Sequence, residues 1–323
     1  MRRSEGQTAE DMRKKRNPLR DRAERIAFSL LPLLFCLPCL LAVQCGTIKT
    51  NGAAPSVFVS ILPQKYFVDK IGGDYVKVTV MVEPGASPHS YEPKPAQMIA
   101  LSKAVAYFSI GLEFEKAWLP KFKRLAQGMR IVSTDSGIEK MPALYNDEHN
   151  EEHGVSGDHR GLDPHIWLSP ALVKKQAITI CEALRSLDPS HDSSYAANLR
   201  AFTGQISQIQ DTIGRILRGD PVDSLRKMFL VFHPAWAYFA REFNLRQIAI
   251  EIDGKEPGPK QLETIFELAK RYSIRTIFVQ PQFSQQSARV IARQMHATVA
   301  IADDLAYDWE KNLISMAHAI AGR

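Results

Sequence analysis

The chain has 323 residues, of which 45% are hydrophobic and 24% charged. This is the composition of a soluble globular protein with room for two domains, and it excludes a disordered chain, a coiled coil and a multi-span membrane protein. The net charge is +6, but residues 1–44 alone carry nine Lys and Arg against five Asp and Glu. The other residues are nearly neutral and show no basic stripe, so they exclude a nucleic-acid-binding surface as well.

The first segment, residues 1–45, is predicted to be an export leader. A cationic start precedes an apolar stretch of 18 residues, Ile26–Val43, which Pro32 and Pro38 interrupt. A membrane-spanning helix needs about 20 apolar residues, so a signal peptide is favoured and an uncleaved N-terminal anchor is the alternative. Three of the four cysteines lie in or just after this stretch and only Cys181 lies in the body, so we expect no intrachain disulfide there.

Cys45 is the candidate lipidation residue. It closes the apolar stretch in the run LAVQCG at positions 41–46, which resembles a bacterial lipoprotein processing site, where the Cys becomes the lipidated first residue. A cut after Ala54 is the alternative, and it would leave Pro55 at the new N-terminus. With lipidation, residues 46–55 become a short tether. We therefore expect an exported protein, either periplasmic or anchored as a lipoprotein on the outer face of the cytoplasmic membrane.

Beyond the leader, apolar β-branched runs alternate with helical patterns. This alternation predicts an α/β fold of mainly parallel sheets flanked by helices. The predicted strands are Val57–Ile61, Val76–Val82, Val105–Ile110, Phe229–Phe232, Arg246–Ile250, Thr276–Gln280 and Thr298–Ile301. The predicted helices include Pro95–Leu101, Ala171–Leu187, Gln261–Tyr272, Ser287–Met295 and Leu305–Ala319.

One long helix interrupts the alternation. Seven apolar residues recur at alternating spacings of four and three, from Tyr195 to Ile216, and they predict a one-sided helix of about 26 residues, roughly 39 Å long. We interpret residues 189–219 as a rigid linker helix between an N-terminal lobe, residues 56–188, and a C-terminal lobe, residues 220–323. A surface helix within one large domain is the alternative.

Three of the nine histidines share a local context beside a proline. They are His89 in PHSYEP, His165 in DPHIW and His233 in VFHPA. His89 and His233 follow predicted strands, and ligands of open α/β sheets lie at the carboxyl ends of the strands. Because neutral imidazoles are the commonest ligands of zinc and other transition metals, these three histidines predict a metal site.

A carboxylate would complete a tetrahedral zinc site. Asp303 and Asp304 follow the last predicted strand and therefore reach the same edge of the sheet. Either of them is a candidate ligand, and Glu92 is a further candidate for a ligand or for a residue that supports one. The alternative role for Asp303 and Asp304 is to cap the helix predicted at Leu305–Ala319.

In this order, the motifs resemble those of the high-affinity zinc or manganese receptors of ABC importers, the solute-binding proteins with a rigid linking helix. The resemblance covers about residues 55–320. Its further motifs are GLEFE (111–115) before Trp118, Tyr238-Phe239 after His233, Glu256-Pro257 before Gln261-Leu262, and QPQF (280–283). It implies that His89 and His165 of the first lobe, with His233 and Asp303 of the second, hold the metal between the lobes. Asp303 matches the family's Asp-Pro-Leu position, although this chain has Asp304 in place of the proline.

Zn²⁺ is the expected metal and Mn²⁺, or another divalent ion, the alternative. Three imidazoles and one carboxylate suit zinc, whereas Mn²⁺ prefers more oxygen, and manganese receptors of the family usually carry Glu at the position of His233. The acidic segment 146–161 contains His149, His153 and His159 and resembles a loop of zinc-specific members. It is either an auxiliary metal-binding loop or a solvated insertion.

We therefore expect a monomeric zinc receptor that delivers Zn²⁺ to the membrane subunits of an ABC permease and is not an enzyme. An adhesin or a periplasmic metal chaperone with the same fold and site is the second hypothesis. A secreted zinc hydrolase is the third. It would need an open coordination position and a general base, and the sequence contains neither a His-Glu-x-x-His nor a Gly-x-Ser-x-Gly motif.

Overall fold

The computed structural model describes residues 54–143, 161–218, 228–251 and 257–322. The export leader with Cys45, and the loop histidines His149, His153 and His159, lie outside the described residues. Within these ranges, no helix combines the length and the apolar composition that crossing a membrane requires.

The first lobe is built on a four-stranded parallel sheet with the order β2-β1-β3-β4. Its strands are β1 (Ser56–Val59), β2 (Lys77–Val80), β3 (Ala106–Ser109) and β4 (Arg130–Ser133). Its helices are α1 (Leu62–Gly72), α2 (Pro95–Leu101), α3 (Glu113–Leu125) and α4 (Pro170–Leu187). The central strands β1 and β3 are almost wholly buried, because helices cover both faces of a parallel sheet.

The second lobe has the same topology, with the strand order β6-β5-β7-β8 and all pairs parallel. After the linker helix α5 (Asp192–Leu217) come β5 (Met228–Val231), α6 (Ala237–Glu242), β6 (Arg246–Ala249) and α7 (Pro259–Arg271). The chain ends with β7 (Thr276–Val279), α8 (Gln285–Gln294), β8 (Thr298–Ile301) and α9 (Trp309–Ile320). All seven predicted strands are present within two residues of their predicted ends, and the α/β fold is confirmed.

The linker helix α5 has 26 residues and buries one side. Five of the seven predicted stripe positions are buried and the other two, Leu199 and Ile216, are partly buried. The stripe packs on α1, α4 and α9. The long helix between the two strand-rich lobes is therefore confirmed.

The hydrophobic core is shared between the lobes. One face of the second sheet packs on α7 and α8 in a separate cluster. Its other face, with Phe229 and Val231, belongs to the large core that fills the first lobe. The last helix also returns there, since Trp309 packs edge-to-face on Phe67 of α1 with ring centroids 5.3 Å apart. Cys181 is a buried free thiol in this core.

Candidate metal centre

Three loops at the carboxyl ends of the strands bring the predicted histidines together. His89 lies in the loop after β2, His165 precedes a short 3₁₀ turn, Ile166–Leu168, and His233 comes two residues after β5. One ring nitrogen of each lies within 4.8 Å of those of the others, and the Nε2 atoms of His89 and His233 are 3.2 Å apart. Among the described residues, this is the group of side chains that could hold a metal ion.

Each of the three rings has its other nitrogen next to a carboxylate. Asp163 Oδ1 is 2.7 Å from Nδ1 of His165, Glu251 Oε2 is 3.1 Å from Nδ1 of His233, and Glu113 Oε2 is 3.4 Å from Nδ1 of His89. An ionised carboxylate only accepts hydrogen bonds, so Nδ1 carries the proton in each pair. The Nε2 lone pairs then face one another, which is the arrangement of a histidine that binds a metal.

The sequence did not predict these carboxylates as partners of the histidines. Asp163 and Glu113 are part of the motifs DPHIW and GLEFE, but no role followed from the motifs themselves. Glu251 lies 18 residues after His233. It lies just beyond the end of β6, next to β5 in the sheet, so only the strand order could have indicated the contact.

The environment keeps the imidazole of His89 in the neutral form that binds metals. Burial, with smaller contributions from the neighbouring His165 and His233, lowers the pKa of His89 to about 3. A proton that enters this cluster would lose hydration and repel any second positive charge. His89 therefore offers a free electron pair at neutral pH.

Contacts to both its ring and its backbone hold His233 in place. Phe283 stacks on it, with ring centroids 4.7 Å apart and an angle of 19° between the planes. Gln280 donates from Nε2 to the His233 carbonyl at 3.0 Å and accepts from the His233 N–H at 3.4 Å. The QPQF motif thus supports His233 rather than contributing a ligand.

The two aspartates after β8 have different surroundings. Asp304 is 5% exposed, and its Oδ1 has no hydrogen-bond partner within the described part of the chain. Burial raises the pKa of Asp304 to about 7, with an opposing contribution from His233 and a smaller increase from Asp303. Its backbone carbonyl accepts a hydrogen bond of 2.6 Å from Trp167 Nε1, two residues after His165. Asp304 is therefore a buried carboxyl with one unpartnered oxygen, outside the group formed by the three histidine nitrogens.

Asp303 is engaged in the turn instead. Its Oδ1 accepts from the Leu305 N–H at 3.0 Å and from Gln282 Nε2 at 3.3 Å. The helix predicted to start at Leu305 begins at Trp309, with Asp308 at the N-cap. The alternative that Asp303 or Asp304 caps this helix is therefore wrong. Glu92 is exposed and does not belong to the histidine group.

The donor set matches the chemistry of zinc. Three imidazoles, each with a carboxylate at its other ring nitrogen, form a nitrogen-rich site of borderline softness. A zinc ion nearby would also supply positive charge to the buried carboxyl of Asp304. The residues present therefore fit a bound zinc ion.

Known proteins support this reading of the geometry. The family model described as "Zinc-uptake complex component A periplasmic" matches residues 57–321. The high-affinity zinc uptake system protein ZnuA of Yersinia pestis is 29% identical over 272 residues, which cover 79% of this chain and 84% of that protein. A crystal structure of ZnuA is 42% identical, covers 84% of this chain and 99% of the other, and superposes with a TM-score of 0.75. A zinc-bound ZnuA mutant lacking residues 138–173 of its own chain is 43% identical, with 83% and 97% coverage and a TM-score of 0.75.

Proposed function

Since the chain belongs to the family of periplasmic zinc-uptake components, we propose that it is an exported high-affinity receptor that captures Zn²⁺ and delivers it to the membrane subunits of an ABC permease. The observation that carries the proposal is the convergence of three imidazoles, each with a carboxylate at Nδ1. Such a site binds a zinc ion tightly. No enzymatic role is proposed.

The proposed ligands are Nε2 of His89, His165 and His233 and a carboxylate of Asp304. The unpartnered Oδ1 and the burial of Asp304 support it as the fourth ligand. Asp303 already accepts two hydrogen bonds and is the less suitable candidate. His89 and His165 would approach from the first lobe and His233 and Asp304 from the second, so the ion would bridge the lobes.

Zinc is proposed over manganese because of His233. An imidazole at this position makes the site richer in nitrogen, whereas Mn²⁺ favours oxygen ligands. Glu251 Oε2 lies 3.1 Å from Nδ1 of His233, so this carboxylate supports the ring and is not free to act as an oxygen ligand. Mn²⁺ binding is therefore expected to be weaker than Zn²⁺ binding.

The proposal also includes membrane attachment and a role for the histidine-containing segment 146–161. Cys45 is the proposed lipid anchor, and Cys45→Ala should release the protein from membranes into the soluble fraction. His149, His153 and His159 would bind zinc weakly and raise its concentration near the site. The receptor is proposed to act as a monomer, which sedimentation of the metal-loaded protein would check.

Metal titration tests the proposal directly. Stripped protein should gain melting temperature and bind one equivalent of metal at the site as Zn²⁺ is added, with a smaller gain for Mn²⁺ at equal free concentration. His89→Ala and His233→Ala should lose most of this gain, because each removes one imidazole of the cluster. His318→Ala is the matched control, since His318 is exposed in the last turn of α9.

Three outcomes would decide against parts of the proposal. If neither ion stabilises the protein and the two site variants behave like the wild type, the receptor function is wrong. Preference for Mn²⁺ would overturn only the choice of metal. Turnover of a chromogenic ester or lactam by the zinc-loaded protein would favour the hydrolase.

A further inference from the structure

The short helix α6 joins the two halves of the proposed zinc site. It begins four residues after His233, and it carries Tyr238 in its first turn and Glu242 as its last residue. Both side chains reach across to the chain segment around His165 in the first lobe. One helix of the second lobe therefore contacts the His165 segment at two separate points.

The hydroxyl of Tyr238 makes the first contact. It accepts a hydrogen bond from the Met141 N–H at 2.8 Å and donates one to the Asp163 carbonyl at 2.8 Å. Tyr238 is 1% exposed, and burial is the main cause that raises its pKa to about 12, so the hydroxyl keeps the proton that it donates. Both contacts are satisfied inside the protein, where an unpaired partner would cost about 1–3 kcal/mol.

Asp163 connects Tyr238 to the proposed metal site, because its side chain contacts His165. Its Oδ1 accepts from the backbone N–H of His165 at 2.9 Å and from Nδ1 of the same residue at 2.7 Å. Asp163 is itself buried, at 3% exposure. Tyr238 therefore holds the backbone of Asp163, and the side chain of Asp163 orients the His165 ring.

Glu242 makes the second contact, on the other side of His165. Its carboxylate accepts from the Ser169 hydroxyl and from the Ala171 N–H at 3.2 Å, at the start of α4. Gln210 of the linker helix donates to the same carboxylate at 2.7 Å. Tyr238 and Glu242 together hold the segment from Asp163 to Ala171 at both ends.

We propose that Tyr238 and Glu242 are positioning residues that set the separation of His165 and His233 before the ion arrives. The proposal rests on the zinc-receptor function given above. The two rings have centroids 5.3 Å apart, and the helix that holds this spacing follows His233 directly in the chain. A site assembled in advance does not lose binding free energy to ordering its ligands. Zinc affinity therefore depends on two side chains that never touch the ion.

The test compares Tyr238→Phe and Glu242→Gln with matched variants elsewhere. Tyr195→Phe removes a hydroxyl that is equally buried and donates to Asp188 at 2.7 Å. Glu310→Gln alters a carboxylate that accepts from Gln205. For each purified protein, three quantities are measured: zinc affinity by competition with a chelator, the visible absorption of the Co²⁺-loaded site, and the melting temperature without metal.

We expect about tenfold weaker zinc binding for each positioning variant, the lower end of the 10–100-fold loss seen when a group that holds a metal ligand is removed. The Co²⁺ spectrum should shift in both variants, because the ligand geometry changes. The two control variants should lower the melting temperature while keeping the wild-type affinity and spectrum. If Tyr238→Phe does not fold, Glu242→Gln decides the question.

Two results distinguish a failure of this inference from a failure of the proposed function. If the positioning variants lose melting temperature but keep the wild-type zinc affinity and Co²⁺ spectrum, the residues are only structural and this inference is wrong. If the wild-type protein itself binds no Zn²⁺, the proposed function fails and the inference fails with it.

Discussion

Replacing Asp304 by Asn should stabilise the metal-free protein and weaken zinc binding at the same time. The buried carboxyl has its pKa raised from 3.8 to about 7. A rise of this size means that the ionised form is disfavoured in the folded state by at most about 4 kcal/mol, at 1.36 kcal/mol for each pH unit. A neutral amide of the same shape removes this penalty, although its new N–H donors offset about 1–3 kcal/mol if they stay unpaired.

The effect of Asp304→Asn on stability depends on pH, and this dependence identifies the ionisation of Asp304 as its cause. The folded carboxyl takes up a proton at a higher pH than the unfolded one, so the contribution of Asp304 to the stability of the metal-free protein falls as the pH rises from about 4 to about 7. Asp304→Asn should therefore have little advantage at pH 4 and a net gain of about 1–3 kcal/mol at pH 8, where the folded carboxyl is forced to ionise. Urea unfolding of the metal-free proteins at the two pH values measures this difference.

Asp303→Asn is the matched control. Its amide oxygen can still accept from Leu305 and Gln282, the two partners of the present carboxylate, so stability and zinc affinity should change little. Zinc binding by Asp304→Asn should fall at least as much as the 10–100-fold that follows from losing a group that only supports a ligand. If Asp303→Asn is instead the variant that loses zinc, and Asp304→Asn gains no stability at pH 8, the assignment of the fourth ligand is wrong.

Three further changes have defined outcomes. Glu251→Ala should weaken zinc binding about 10–100-fold in a chelator competition, because the His233 ring loses the acceptor that orients it, and wild-type affinity would show that the contact is incidental. Gln176→Leu should raise the free energy of unfolding by about 1–3 kcal/mol in urea, since Gln176 is fully buried and neither amide atom is paired within the described residues; a loss of stability would indicate that a buried water serves it. Lowering the pH from 6.5 to 5 should cost the metal-free wild type about 2 kcal/mol of unfolding free energy relative to His89→Asn, because unfolded His89 takes up a proton that the folded residue, with a pKa of about 3, refuses. Asp304 acts in the opposite direction over this range in both proteins, so an unchanged difference between the two proteins would contradict the assignment to His89.

The strands could be predicted because burial on both faces leaves a plain apolar pattern in the sequence. The central strands β1 and β3 are covered on both faces, so their sequences are continuous apolar runs. The strand β4 was missed because it is an edge strand of four residues, Arg130–Ser133, with both ends exposed. Its sequence carries only two apolar residues, which is too short a run to distinguish from a loop.

The positions of the histidines could be predicted from the sequence, but the carboxylates that contact their rings could not. A residue at the carboxyl end of a parallel strand must lie at the crevice, so the position of His233 follows from β5 alone. The contact between His89 and Glu113 depends instead on how α3 packs beside the loop after β2, and the two are 24 residues apart. The choice between Asp303 and Asp304 likewise depends on which of two successive side chains turns inward after β8. Local sequence does not determine either of these.

The way the lobes are joined limits how the site can respond to an ion. Separating the lobes would break the bonds from Trp167 Nε1 to the Asp304 carbonyl and from Trp309 Nε1 to the Trp167 carbonyl, both 2.6 Å long. It would also expose Trp309 and the face of the second sheet that lies in the shared core. Each buried group left without a partner costs about 1–3 kcal/mol, and the exposed apolar surface adds to that cost. Wide opening would therefore use up much of the free energy that a bound ion supplies, so capture and release must proceed mainly through the loops that carry the ligands.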